Sequence, residues 1–374
     1  MNENTEISLN PEQDPKEKFR EAVDKLLERE KFSLTPEAQE VMQEQIKANK
    51  RFVCIVGTHK EGDKEVERFL KIPIREEERI DRPFKRQILF GKFLKEDGRI
   101  KTRDIVAENL NREEGLPYAI METFGSGEAK IGFIANSKDM KLLTAKEAQS
   151  CIETLERLHS IDSKTVPEDV KEALQHFSGS TEEFFNAILE NLDKKVRTLD
   201  TEGKEEYYHQ VLNRRLAVLN FRGKVQKLLD VFRGVIKDEE GKKEVLVQGD
   251  LSPANLYVYD EGEVEFLDFE WSGICDNEAL AMIIDFGNLR ARAWNNREFR
   301  DALDTEILKK YQEEGRENVG KAIVALGILR SHMGLAGFFE NYPLEKQRRE
   351  EEKRRRESTE ADIKKAWKVA GLTF

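Results

Sequence analysis

Between Val245 and Trp271 the sequence reads VLVQGDLSPANLYVYDEGEVEFLDFEW. Three oxygen-bearing side chains stand out by spacing. Asp250 falls on a loop between two β-type segments, Asn255 follows five residues later, and Asp268 lies eighteen residues after Asp250, at the end of a third apolar segment. Phosphoryl transfer from a nucleotide needs a carboxylate beside the acceptor hydroxyl, to orient it and take its proton. It also needs separate hard oxygen ligands for Mg²⁺ on the phosphates. Asp250 suits the first task, and Asn255 and Asp268 suit the second. A single Asp or Asn in such a place is an ordinary turn former. The triple at this spacing, with Gly249 and Pro253 in the loop, is the informative pattern.

The order of catalytic Asp, Asn, then metal-binding Asp after a strand resembles the kinase signature. The wording Gly249-Asp-Leu-Ser-Pro-Ala-Asn255 followed by Leu267-Asp-Phe-Glu270 resembles the aminoglycoside phosphotransferase and choline kinase-like family of small-molecule kinases. That family usually opens the loop with His-Gly-Asp, where this chain has Gln248. The resemblance covers about residues 50 to 340. It implies an α+β, bilobal protein kinase-like fold with a small β-rich N-lobe and a large, mainly helical C-lobe. The expected division is a helical extension over 1–50, a nucleotide-binding N-lobe over 51–123 and a C-lobe over 124–374. Protein kinases place the catalytic loop closer to the connection between lobes. Here 128 mostly helical residues separate Glu122 from Asp250, and no Ala-Pro-Glu follows Asp268.

The upstream parts of a nucleotide kinase are then expected as follows. Lys71, in Phe69-Leu-Lys-Ile-Pro73, lies on an alternating strand and is the candidate cation for the α/β-phosphates. The family pairs it with a Glu on the next helix. That helix offers Gln87, with Glu76, Glu77 and Glu78 just before it. A carboxylate holds an ammonium better than an amide does, so one of the three Glu is the expected partner. Tyr118–Gly125 resembles the connection between lobes, with Met121 lining an adenine slot and Glu122 and Thr123 presenting backbone groups to it. No G-x-G-x-x-G loop is present. Gly57 and Gly62 bracket Thr58, His59 and Lys60, which reads better as a hairpin than as a phosphate cradle. Asp285-Phe-Gly287 spells the protein-kinase metal triplet, but it falls within the helical pattern EALAMIIDFGNL, so Asp285 is expected to be a buried or capping residue rather than a ligand. His159, in Leu155–Ser160, reads as a packed helix-end His. No His-Glu-x-x-His is present.

The elements that must position these residues follow from periodicity. Helices are expected from Pro15 to about Lys50, over Phe84–Leu94, from a capping box at Thr144-Ala-Lys-Glu147 onward, and over Thr181–Thr198 and Lys204–Lys237. Strands are expected at Arg51–Thr58, Val66–Ile74, Asp104–Glu108, Tyr118–Thr123, Val245–Val247, Leu256–Tyr259 and Val264–Leu267. Asp260-Glu-Gly262 supplies a hairpin turn between the last two. The first fifteen residues read as frayed, and the mixed-charge run Leu344–Thr359 as a solvated helix.

The chain has 374 residues, 38% hydrophobic and 37% charged, with 21 Phe, enough for more than one domain with real cores. No apolar run reaches the roughly 18 residues of a membrane span, and no secretory segment opens the chain. Three scattered Cys exclude a disulfide scaffold and a Cys-based zinc site, and fit a reducing cytoplasm. A net charge of −11 disfavours nucleic acid as a partner and fits a cationic acceptor. No aromatic cage can be assigned among Trp271, Trp294 and Tyr342. The expected activity is ATP- (or GTP-) and Mg²⁺-dependent phosphorylation of a hydroxyl on a small molecule, which the resemblance makes aminoglycoside-, choline- or sugar-like. Gln248 and Gln87 favour the alternative, a catalytically weak nucleotide-binding pseudokinase acting through partner contacts. Nothing in the sequence reports the oligomeric state.

Overall fold

The computed structural model describes residues 14–123, 132–134, 139–199, 222–237, 239, 243–293, 295–338 and 361–373. Residues 1–13 of the start expected to fray, the first part of the expected Lys204–Lys237 helix and the charged run Leu344–Thr359 lie outside the described residues, as do Trp294 and Tyr342. The chain forms two compact units. One comprises Met1–Lys92 and Arg103–Lys130, the other Phe93–Thr102 and Ile131–Phe374.

The first unit is built on a five-stranded antiparallel sheet in the order β1-β2-β3-β5-β4. Its strands are β1 (Phe32–Ser33), β2 (Phe52–Glu61), β3 (Lys64–Pro73), β4 (Ile105–Asn109) and β5 (Tyr118–Glu122). Helices α1 (Pro15–Arg29) and α2 (Pro36–Lys47) begin on Asp14 and Thr35, whose side chains accept backbone N–H groups, with Pro at the first helical position. Period-2 alternation sorts the strand residues onto two faces. Val53, Ile55, Leu70, Ile72 and Ile120 pack with Val23, Leu26, Met42 and Ile46 of α1 and α2. Ala119 and Met121 on the opposite face pack with Phe84 and Ile88 of α3 (Glu78–Asp97), against Phe52 and Phe69. Helices α1 and α2 are therefore part of this core.

The turn between β2 and β3 is tighter than the sequence suggests. β2 runs through Gly57 to Glu61, which pairs with Lys64, so the bend is Gly62-Asp63, with Gly62 at φ +63°. Thr58, His59 and Lys60 are therefore strand residues. Glycine at the first turn position adopts the left-handed conformation that a two-residue hairpin requires, which moves the turn past the expected site.

The second unit carries most of the helices. They are α4 (Ala145–His159), α5 (Glu168–Ala173), α6 (Thr181–Leu199), α7 (222–237), α8 (Glu278–Arg292), α9 (Arg297–Glu313), α10 (Glu317–Phe338) and α11 (361–369). The capping box forms as expected, with Thr144 and Glu147 satisfying each other's N–H groups. Two small sheets hold the loop of interest. Strands β6 (Gly132–Ile134), β9 (Leu256–Tyr259) and β10 (Val264–Phe266) form one, in the order β10-β9-β6. Strands β7 (Gln175–Phe177), β8 (Val245–Val247) and β11 (Gly273–Cys275) form the other, in the order β7-β11-β8. The β9–β10 hairpin turns at Asp260–Gly262, with Gly262 at φ +78°. Both faces of β8 are buried, as the apolar run Val245-Leu-Val247 requires. No described helix is long and apolar enough to cross a membrane.

Candidate active site

In the second unit, the chain leaves the buried strand β8 and turns sharply at Gly249, φ +86°. A Cβ there would lie 2.1 Å from the Trp271 carbonyl oxygen, so only glycine fits both the dihedral and the space. Gln248 is fully buried and stitches the loop together. Its Oε1 accepts the Asp250 N–H at 2.8 Å, and its Nε2 donates to the carbonyl oxygens of Leu267 (3.0 Å) and Asp268 (2.9 Å). One side chain thus ties the base loop to the segment carrying the second acid. An amide has both a donor and an acceptor end, so it can serve both segments at once.

Asn255 makes the complementary tie. Its Nδ2 donates to the Asp250 carbonyl at 2.9 Å, and its own carbonyl accepts the Leu267 N–H at 2.9 Å. With Nδ2 committed, the Asn255 Oδ1 is the end that remains for a cation. Asp268 sits two residues past β10 at φ +56°, the left-handed region that Asp tolerates better than most residues. A carboxylate and an amide oxygen are hard ligands of the kind Mg²⁺ takes, so this pair fits the metal that the fold implies. Asp250 is half-buried. Burial pushes its carboxyl up, Arg292 opposes this, Asp268 adds to it, and Arg330 and Glu270 act in the lowering and raising senses respectively. Asp250, Asn255 and Asp268 are therefore brought together.

Asp285 is a loop support. It is fully buried in α8, and its two oxygens accept the Gln248 N–H at 3.0 Å and the Gly249 N–H at 2.8 Å. Asn288, one turn on, donates Nδ2 to the Gly249 carbonyl at 3.0 Å. His159 closes α4 in a buried position, with Nε2 3.6 Å from Asp285 Oδ2. The sequence places Asp285 and His159 in the core but does not show that Asp285 supports the loop, and it does not by itself point to Asn288. The i, i+3 spacing of Asp285 and Asn288 on one helix was the available signal.

In the first unit, Lys71 is buried on the α3 face of the sheet. It donates to Gln87 Oε1 at 2.5 Å and stands 4.4 Å from the centroid of the Phe52 ring. The expected carboxylate partner is thereby corrected. Glu76 and Glu78 are exposed, and Glu77 pairs with Arg75 and Arg79 at the start of α3. The helical repeat from Phe84 to Ile88 turns Gln87 toward the sheet, which Glu76 and Glu77 before the helix and Glu78 at its first residue do not match. Met121 is buried against Phe84 and Ile88. The Glu122 N–H is bonded to the Asp104 carbonyl at 3.0 Å, and the Thr123 carbonyl accepts from Arg103 Nη1 at 2.7 Å. Thr123 Oγ1 donates to the Glu67 carbonyl at 3.2 Å. Two of the backbone groups expected to face adenine are thus engaged within the unit.

No family model matches the chain, and no curated protein matches it in sequence. Solved structures do match. An aminoglycoside phosphotransferase from Alicyclobacillus acidocaldarius is similar over 91% of this chain and 97% of its own, at 17% identity and a TM-score of 0.52. The AMP-bound spectinomycin phosphotransferase is similar over 85% and 91%, at 12% identity and a TM-score of 0.49. A choline/ethanolamine kinase family protein from Mesorhizobium loti is similar over 84% of each chain, at 14% identity and a TM-score of 0.43. The chain has the α+β, kinase-like fold of aminoglycoside phosphotransferases, and the resemblance carried by Gly249–Asn255 and Leu267–Glu270 is borne out at that level.

Proposed function

We propose that this chain is a nucleotide-dependent phosphotransferase that phosphorylates a hydroxyl group of a small molecule, with ATP or GTP as donor and Mg²⁺ as cofactor. The observation that carries the reading is the knot in which Gln248 and Asn255 fix Asp250 and Asp268 to each other. Structural neighbours solved with a bound nucleotide or aminoglycoside support the same class.

Asp250 accepts a hydrogen bond from the acceptor hydroxyl and takes its proton as the oxygen attacks. A bond forms between that oxygen and the γ-phosphorus, the bond from phosphorus to the β,γ-bridging oxygen breaks, and the nucleoside diphosphate leaves with the electron pair. Asp250 then returns the proton to solvent. Burial, which raises Asp250, suits a base that must both accept and release it. Asn255 Oδ1 and the Asp268 carboxylate would hold Mg²⁺, which neutralises charge on the donor phosphates when bound. Lys71 would receive the α/β-phosphates, and Met121 would meet the base, with Glu122 and Thr123 contributing only the backbone groups that Asp104 and Arg103 do not already engage.

The test is a coupled assay of nucleoside diphosphate release, run with ATP and with GTP over a panel of hydroxylated acceptors. Acceptor-dependent release lost in Asp250→Asn is the expected result. Nucleotide binding with no release on any acceptor would favour the second reading, a catalytically weak nucleotide-binding protein. The observation behind that reading is the neutral Gln87 on Lys71.

A further inference from the structure

The field around Asp250 differs from what a net charge of −11 suggests. α8 holds the loop through Asp285 and Asn288, and Arg292 follows four residues on, so all three share one helical face. α10 meets α8 at two glycines. A Cβ on Gly287 would lie 3.0 Å from the Gly327 carbonyl oxygen and 3.0 Å from Arg330 Cγ. The Arg330 stem therefore lies against α8 next to Asn288, which bonds the carbonyl preceding Asp250. The charges of Arg292 and Arg330 both act on Asp250. The carboxylates that also act on it, Asp268 and Glu270, both belong to the segment after β10, where the metal ligand is proposed.

Arg330 is the more telling of the two. Its guanidinium lies 5.9 Å from the centroid of the Phe184 ring of α6. Its Nε is buried with no hydrogen-bond partner, and it makes no ion pair among the described residues. Arg330 as a whole is half-buried, and holding a cation partly away from water without an ion pair is costly. Burial, with Arg292 adding, lowers the proton affinity of Arg330, and only the charge of Asp250 opposes this. A second cation next to it deepens the cost. The arrangement makes sense when an anion completes it, because a guanidinium and a carboxylate or phosphate make strong charge-assisted bonds.

We propose that the acceptor is an anionic hydroxylated molecule whose carboxylate or phosphate is received by Arg330, with Arg292, on the α8–α10 side of Asp250. The proposal rests on the phosphotransferase reading and narrows its acceptor. Polycationic aminoglycosides and choline would meet like charge there, whereas an anionic acceptor would have its hydroxyl presented to Asp250 while its charge is held by the arginines. The global charge of the chain then steers little, because at cellular salt a field from distant surface residues is screened within about 8 Å.

The test uses the full chain with saturating MgADP and matched probes: glycerol, D-glycerate, glycerol 3-phosphate, gluconate, choline and kanamycin. Calorimetric titration reads binding. At least one anion is expected to bind while glycerol, choline and kanamycin do not, and glycerate against glycerol 3-phosphate separates carboxylate from phosphate. Arg330→Gln should weaken the anion by about 10- to 100-fold, Arg330→Lys by less, and Arg297→Gln, at an exposed position of α9, not at all. Arg292→Gln carries the same expectation at an exposed position, so the test survives if Arg330→Gln does not fold. Three results would each overturn the proposal: kanamycin or choline binding in preference to every anion, no anion binding at millimolar concentration, or arginine variants that weaken MgATP and leave the anions untouched. Arginine-dependent anion binding without release of ADP on any probe would keep the anion site and remove the kinase reading instead.

Discussion

The Lys71 ammonium bonds a neutral amide, Gln87 Oε1, at 2.5 Å, and lies 4.4 Å from the centroid of the Phe52 ring. Both contacts hold the Nζ in place, one by a hydrogen bond and one by the face of the ring. Neither the ring nor the amide carries a negative charge, so neither of these two contacts neutralises the cation. Gln87→Ala is expected to weaken ATP by about 3- to 10-fold, in line with the loss of one hydrogen bond, and to leave adenosine unchanged. Gln87→Glu should keep Lys71 oriented while drawing its charge away. Titration of both variants with ATP and adenosine checks this. Equal weakening of the two ligands would show that Gln87 acts on the fold of the unit instead.

Asp250→Asn removes the proposed proton acceptor and keeps the shape. The Asp250 N–H bond to Gln248 and the carbonyl bond from Asn255 are both main-chain, so the loop should stand. Turnover is expected to fall by about 10²–10⁴ with MgATP affinity nearly unchanged. Steady-state kinetics beside a nucleotide titration separates the two quantities. Full activity in the variant would remove Asp250 from the base role.

Asp268 and Asp285 should behave differently, although each begins an Asp-Phe pair. Asp268→Ala is expected to abolish the Mg²⁺-dependent part of nucleotide binding, since it removes a charged hard ligand. Asp285→Ala should instead strand the Gln248 and Gly249 N–H groups in the interior and cost about 1–3 kcal/mol for each. Denaturant unfolding and Mg²⁺ titration together assign the two residues. A metal-bound structure with Asp285 in the coordination shell would reverse the assignment.

The clustering of the candidate site was legible because it is local. Asp250, Asn255 and Asp268 lie within nineteen residues, and one hairpin suffices to gather them. The long-range supports were not. Gln248 looked like a weakened substitute for His, yet its bonds run to Leu267 and Asp268, about twenty residues away. No periodicity reports such a pair. The partner of Lys71 was misjudged for a related reason. Charge strength argued for a Glu, but the phase of α3 decides which side chain reaches the sheet, and that phase gives Gln87. Strands β7 (Gln-His-Phe) and β11 (Gly-Ile-Cys) escaped notice because neither carries the apolar run that marks the equally short β8. Arg292 and Arg330 could not be connected to Asp250 before α8 and α10 were seen to meet at Gly287 and Gly327.

The far side of α8 carries a buried charge cluster whose loss should be large. Arg290 donates Nε to Asp304 at 2.9 Å and Nη1 to Asp362 at 3.1 Å, and Arg300 donates Nη1 to Asp362 at 2.6 Å. All four residues are buried, and Lys365 of α11 reaches Asp304 at 2.5 Å from a more exposed position. Asp362, in α11, is thus the shared counter-ion of two arginines on α8 and α9. Asp362→Ala leaves Arg300 without that counter-ion and Arg290 with one carboxylate instead of two. Breaking a buried pair from one side costs about 3–5 kcal/mol, because the remaining charge stays buried. Arg300→Ala combined with Asp362→Ala removes both partners, so the double variant should cost less than the two single losses added together. Chemical denaturation of the three variants reads the stability, and amide exchange over 361–369 shows whether α11 detaches first. Strict additivity, with each single loss under about 1 kcal/mol, would show that the cluster is solvated and that α11 is held by Ile363, Ala366 and Trp367 alone.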